Sequence, residues 1–190
     1  MYHIVPEDIV KRYLEPQRHY HTLEHIYNGL SVIPMLLRDG SFGDDERKQL
    51  LQAWWLHDAV YDIPNNSSQS NEQRSAYLAA RVYPNKKIIQ QLILATVYPN
   101  EKEVNPRSLD AIINDADLFG LAAPREVYER HTAQIRLENS HLSDEVFNAN
   151  RKKFLTTLVE KQKPLFKTSQ GLFLWESKAL NNIYREIYAV

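Results

Sequence analysis

Proline, rather than glycine, divides this chain. Nine prolines but only five glycines occur in 190 residues, against an average glycine usage of roughly 7%. Positions that take positive φ cheaply are therefore few, and so are the tight hairpin turns that need them. An all-α fold is the expectation before any periodicity is counted.

The prolines and a few polar clusters cut the sequence into helix-length pieces. PEDIVKRYL lies between Pro6 and Pro16. A long piece runs from about Tyr20 to Leu37 with Pro34 inside it, where a ring lacking an N–H kinks or ends a helix. DDERKQLLQAWWLHDAVYD opens with acids, as a helix N-terminus prefers, and runs to Asp62. SNEQRSAYLAARVY closes at Pro84 and KKIIQQLILATVY at Pro99. RSLDAIINDADLFGLA ends near Gly120, and Pro124 sits in the first turn of the next helix. Ser143 caps a helix that stops before Pro164, and ESKALNNIYREIYAV closes the chain. About eight to ten helices of ordinary length are expected, with no repeat or heptad array, in a single globular domain over residues 1–190.

Composition narrows the function. With 23 basic and 24 acidic residues the formal charge is −1, so no basic surface for an extended nucleic acid is expected. Cysteine is absent, which excludes disulfides, thiolate nucleophiles and Cys-type zinc sites. The N-terminal MYHIVPEDIVKRYLEP lacks the apolar run of a signal peptide, and no segment approaches the ~20 apolar residues of a membrane span. A cytoplasmic protein with no membrane partner is the expectation; an oligomer is left open.

RHYHTLEHI, residues 18–26, carries three histidines within seven positions. At ~100° per residue, Leu23, Ile26, Tyr27 and Leu30 form one apolar stripe. His21 and His25, four apart, share the opposite face with Gly29, Val32 and Leu36; Glu24, Ser31 and Arg38 are left for solvent. His19 falls elsewhere. In the next helix Leu50, Trp54, His57, Asp58 and Tyr61 share one face. A carboxylate among such apolar side chains needs a partner, and no arginine or lysine lies between Gln49 and Asp62. One divalent cation would satisfy His57 and Asp58 together. Asp115 and Asp117, two apart, point to opposite sides of their helix, and periodicity does not choose between them. Each histidine taken alone has an ordinary reading as a satisfied core residue; the combination is what points to a metal.

The ordered set YHTLEHI, LHDAVYD, NEQRSA and DADL resembles the HD-domain superfamily of metal-dependent phosphohydrolases. It is most similar to the small bacterial branch described as predicted phosphohydrolases, and distantly to cyclic-nucleotide phosphodiesterases. The motifs run from about Arg18 to Leu121, with helices over 124–190 packing on that core. The resemblance implies an HD-type helical domain with one divalent metal (Mn, Fe, Co, Ni, Zn or Mg) on His25, His57, Asp58 and Asp117. It implies His21 as the acid, although His21 and His25 could exchange roles, and Asp115 remains the rival of Asp117. Two-metal relatives carry a histidine where Tyr61 stands, and the acid-plus-histidines motif appears here as NEQR, keeping Glu72 alone. One metal is therefore expected. A histidine expected shortly after Ala95-Thr96 is missing.

The implied reaction is hydrolysis of a small phosphate ester, a nucleotide among the candidates, by metal-activated water. His21 would protonate the leaving oxygen, and Asp58 and Glu72 would act on the water. Glu72 reads equally well as a carboxylate at a helix N-terminus. Arg18 and Arg74 are candidates for the phosphate oxygens, with a solvated surface as the alternative; Arg136, Arg151, Lys152 and Lys153 are other basic candidates. The run of three reads more readily as an exposed helical face, and Trp54 as core beside Trp55. The rival functions are an HD-fold metal- or nucleotide-binding regulatory protein without turnover, suggested by the missing histidine, and a metal-free helical scaffold.

Overall fold

A computed structural model describes residues 5–84 and 86–188. The described residues are all-helical, with ten α-helices and two short 3-10 turns. The helices are α1 (Glu7–Arg12), α2 (Leu23–Leu36), α3 (Asp44–Leu56), α4 (Asn71–Val82), α5 (Lys87–Leu94), α6 (Leu109–Leu118), α7 (Arg125–Glu138), α8 (Asp144–Lys161), α9 (Ser169–Leu174) and α10 (Glu176–Tyr188). No helix among the described residues is long and apolar enough to cross a membrane. The last two residues of the expected C-terminal helix, 189–190, lie outside the described residues.

Side-chain caps set half of the starts. Thr22, Ser70, Ser108, Ser143 and Thr168 each accept a backbone N–H of the first helical turn, satisfying donors that have no partner within the helix. Pro124 stands one residue earlier than expected, as the residue before α7. Pro34 lies inside α2, which continues to Leu36.

Helix α5 packs against α3 and α4, α2 packs against α6, and α10 lies on α8 and on the turn after α6. The core gathers Trp54, Tyr13, Phe166 and a set of Ile and Leu side chains, all fully buried. Tyr27, expected on the apolar stripe of α2, is exposed. Two expected boundaries differ where the site is built. Helix α2 begins at Leu23, because the Thr22 hydroxyl caps it and Glu138 captures the N–H groups of residues 19–21. His21 therefore precedes the helix instead of sharing a face with His25. Helix α3 ends at Leu56, short of the expected Asp62, because Arg18 binds the carbonyls of Asp58 and Ala59.

Candidate metal centre

His25 comes from the first turn of α2, His57 and Asp58 from the turn that closes α3, and Asp117 from the last turn of α6. Their side chains converge. The two histidine Nε2 atoms lie 3.1 Å apart. Asp58 Oδ2 is 3.0 Å from His57 Nε2 and 3.5 Å from that of His25. Asp117 Oδ1 is 3.3 Å from His25 Nε2 and 3.5 Å from that of His57. All four ligand atoms lie within 4.8 Å of one another. Donors ~2.1 Å from one cation stand ~3.0 Å apart at an octahedral angle and ~3.4 Å apart at a tetrahedral one. The spacing therefore fits a single small divalent ion, and the buried group of His25, His57, Asp58 and Asp117 can hold one.

The surroundings prepare the donors. His57 Nδ1–H donates to the carbonyl of Trp54 at 2.7 Å, which fixes the tautomer and leaves Nε2 to face the carboxylates. The Trp54 indole stacks on the His57 ring with centroids 4.4 Å apart and donates its own N–H to Ile26. His57 is 1% exposed. Burial alone would push its pKa down, yet the Asp58 and Asp117 carboxylates push it well above the ordinary value. Burial likewise acts to raise Asp117, but hydrogen bonds from His25 and His57 bring it down to about 2. Asp58 is held far below the usual carboxylate range, burial being outweighed by His57, His21 and His25. With no cation, a proton on His57 offsets the carboxylates it faces; a divalent ion would do the same with its ligands unprotonated.

The other predicted residues divide. His21 lies beside the centre, its ring 5.8 Å from that of His25 and stacked on Tyr61 at 3.9 Å. Glu138 Oε2 lies 2.8 Å from His21 Nδ1, while Oε1 accepts the N–H groups of His19, Tyr20 and His21 at 2.8–2.9 Å. Burial lowers the His21 pKa, but Asp58, Glu138 and Asp117 together raise it above its ordinary value. An open cleft of about 310 Å³ is lined by His21, Asp58, Asp117 and Glu72, so these four candidates share one wall system. His19 is exposed.

Arg18 and Arg74 do not join them. Arg18 is buried and spends its guanidinium on Glu15 and on the carbonyls of His21, Asp58 and Ala59. Its part is to hold the His57–Asp58 turn, with Tyr13 and Tyr61 against its face. Arg74 pairs with Asp62 at 2.6 Å and lines a separate surface depression. Arg136 ties down the end of α7 through Asp144 and two carbonyls. Asp115, fully buried, is consumed by the 163–168 loop: it accepts from Lys167 N–H, Thr168 N–H and the Thr168 hydroxyl.

One residue of the site is absent from the sequence reading: Glu138 gives no local signal, being 117 residues from the histidine it holds. Arg151, a basic candidate expected on an exposed face, is instead nearly buried, and its spacing carries the signal. Phe147, Arg151, Leu155 and Leu158 follow helical spacing, and the three apolar members are buried; Arg151 lies with them, its side chain 12% exposed, and lines the cleft. Lys152 and Lys153 are exposed.

Comparison of the chain with protein-family models, with curated proteins and with solved structures found no match.

Proposed function

We propose that this protein is a divalent-metal-dependent phosphohydrolase of the HD-domain kind, cleaving a small phosphate ester. The observation that carries the reading is a four-ligand His/Asp centre whose two carboxylates, Asp58 and Asp117, line one cleft with a histidine held by a carboxylate. His25, His57, Asp58 and Asp117 would hold the cation, whose contribution when bound is to acidify water and polarise a phosphoryl oxygen. His21 supplies the proton. Glu138 fixes its Nδ1–H, so the Nε2–H of the imidazolium is the one to pass to the leaving oxygen. Glu72, in the first turn of α4, is the cleft carboxylate free of that centre and able to accept a proton from water.

The test is release of inorganic phosphate from a panel of phosphomonoesters and cyclic nucleotides with Mn²⁺, Co²⁺ or Ni²⁺. Metal-dependent release is expected, abolished by Asp58→Ala and lowered roughly 100-fold or more by His21→Gln. A second reading, a regulatory protein that binds metal or nucleotide without turnover, is favoured by the residues after Thr96, where the resemblance calls for a histidine. Val97 and Tyr98 stand there, and Thr96 and Tyr98 line the cleft. Silence across the panel with one ion per chain by elemental analysis selects that reading; protein purified without chelator and free of metal removes both.

A further inference from the structure

We propose that Arg151 is the anion-binding group of this cleft, and that the cleft takes a phosphomonoester whose organic part is aromatic or apolar and bears no further charge. The hydrolysis of such an ester rests on the reading above; its binding does not.

Arg151 is placed for the task by its neighbours. Glu186 of α10 receives Nε at 2.9 Å and Nη2 at 3.5 Å, and the Tyr128 hydroxyl donates to the same carboxylate. The long side chain is thus pinned, so little rotamer freedom remains to be lost when a ligand arrives. Glu186 takes up the Nε–Nη2 edge of the guanidinium fork, with the Tyr128 hydroxyl beside it, and leaves Nη1 clear of that carboxylate. A planar fork with an open edge suits a phosphate or phosphonate oxygen pair.

The charge pattern of the walls sets the rest. Among the described residues Arg151 is the only arginine or lysine lining the cleft, while Asp58, Asp117 and Glu72 supply carboxylates. Two of these belong to the metal centre. One anionic head group therefore finds the centre and one guanidinium. Apart from the His21 imidazolium, which faces the leaving oxygen, a second ionised group finds no cation of the protein, and would meet Glu72 in a partly desolvated site. The remaining lining includes Leu118, Leu121, Ile135 and Phe154, with the rings of Tyr61 and Tyr98. Such surface takes up apolar or aromatic area. A volume of about 310 Å³ is at the small end of ligand sites.

Non-hydrolysable phosphonates test this without turnover. Binding of methylphosphonate, phenylphosphonate and 4-phosphonobenzoate to the Mn²⁺-loaded full chain is measured by calorimetry, with Mn²⁺ affinity determined on the same samples. Phenylphosphonate is expected to bind tightest, with 4-phosphonobenzoate weakened by its added carboxylate. Arg151→Gln is expected to weaken phenylphosphonate roughly tenfold or more while leaving Mn²⁺ affinity within about twofold. Glu186→Gln, which keeps the hydrogen-bonding shape and removes the competing charge, is expected to tighten it. Equal binding by wild type and Arg151→Gln overturns the assignment. Should that variant not fold, failure of Glu186→Gln to tighten binding overturns it instead. Preference for methylphosphonate or 4-phosphonobenzoate over phenylphosphonate overturns the substrate class. Arg151-dependent binding in a protein that hydrolyses no ester leaves this inference standing and sinks the hydrolytic reading alone.

Discussion

Asp115 accepts two backbone N–H groups and a hydroxyl from the segment before α9, and the Asn114 amide as well. Asp117, one position past Ala116, faces two imidazoles instead. The pair therefore separates stability from metal binding. Asp115→Asn turns an amide N–H₂ toward donors that need acceptors, and is expected to cost about 3 kcal/mol in urea unfolding while one Mn²⁺ still binds per chain. Asp117→Asn is expected to lose Mn²⁺ affinity at least tenfold, with a smaller effect on the metal-free protein. Retention of wild-type affinity by Asp117→Asn would remove it from the centre. Sequence left these two open for a physical reason. Residues two apart on a helix point to opposite sides, and here both sides are apolar because α6 is buried nearly all round. The deciding partners of Asp115 lie about fifty residues downstream, beyond any local pattern. His57 and Asp58 were legible because no nearby cation could neutralise a buried acid. Arg18 stood as a candidate for the phosphate oxygens because, besides Glu15, its acceptors are three backbone carbonyls, which sequence does not display.

Helices α2 and α3 cross where Gly29 meets the Trp54 ring. A Cβ on Gly29 would lie 1.9 Å from Trp54 Cζ2, so the glycine is required by close approach and not by its backbone angles. Trp54 in turn backs His57, so the crossing of two helices reaches the centre through one indole. Gly29→Ala is expected to destabilise the protein by about 1–3 kcal/mol, the usual cost of overpacking. It should also weaken Mn²⁺ binding roughly tenfold, because the ring that orients a ligand is displaced. Both are read by denaturant unfolding and calorimetry on the same variant. Lost stability with unchanged Mn²⁺ affinity would show that the indole packs without positioning His57. At this scale the all-α class was legible from scarce glycine, and the starts of α1, α3 and α8 from Pro6, the Asp44–Asp45 acids and the Ser143 hydroxyl. The ends of α2 and α3 nearest the site were not, because Glu138 and Arg18 fix them from other parts of the chain.

Across the whole molecule, the ligands come from the first 118 residues, whereas the residue that holds His21 and the arginine of the cleft come from α7 and α8. Glu138 is the clearest link between the two halves, its carboxylate closing over the backbone of residues 19–21. Burial acts against its charge, but the His21 hydrogen bond and charge, with the backbone N–H groups, lower its pKa from 4.5 to about 2. Between those limits the unfolded chain binds the proton and the folded chain does not, so this group adds stability above pH 4.5 and loses it as pH falls toward 2. His21, raised above its ordinary 6.5, adds its share below that value and loses it on the alkaline side. Glu138→Gln is expected to cost about 2 kcal/mol at pH 6, measured by unfolding with chelator present so that metal occupancy does not vary. The gap to wild type should narrow on acidification below pH 4.5 and narrow again above the raised His21 value. A gap that is constant across this range would mean that Glu138 serves as a neutral hydrogen-bond acceptor, and that the charge on His21 is not what joins the halves. The same variant bears on the proposed chemistry: with its orienting carboxylate gone, His21 keeps its place in the chain but not a fixed Nδ1–H, so the proposed hydrolysis should slow while Mn²⁺ affinity holds.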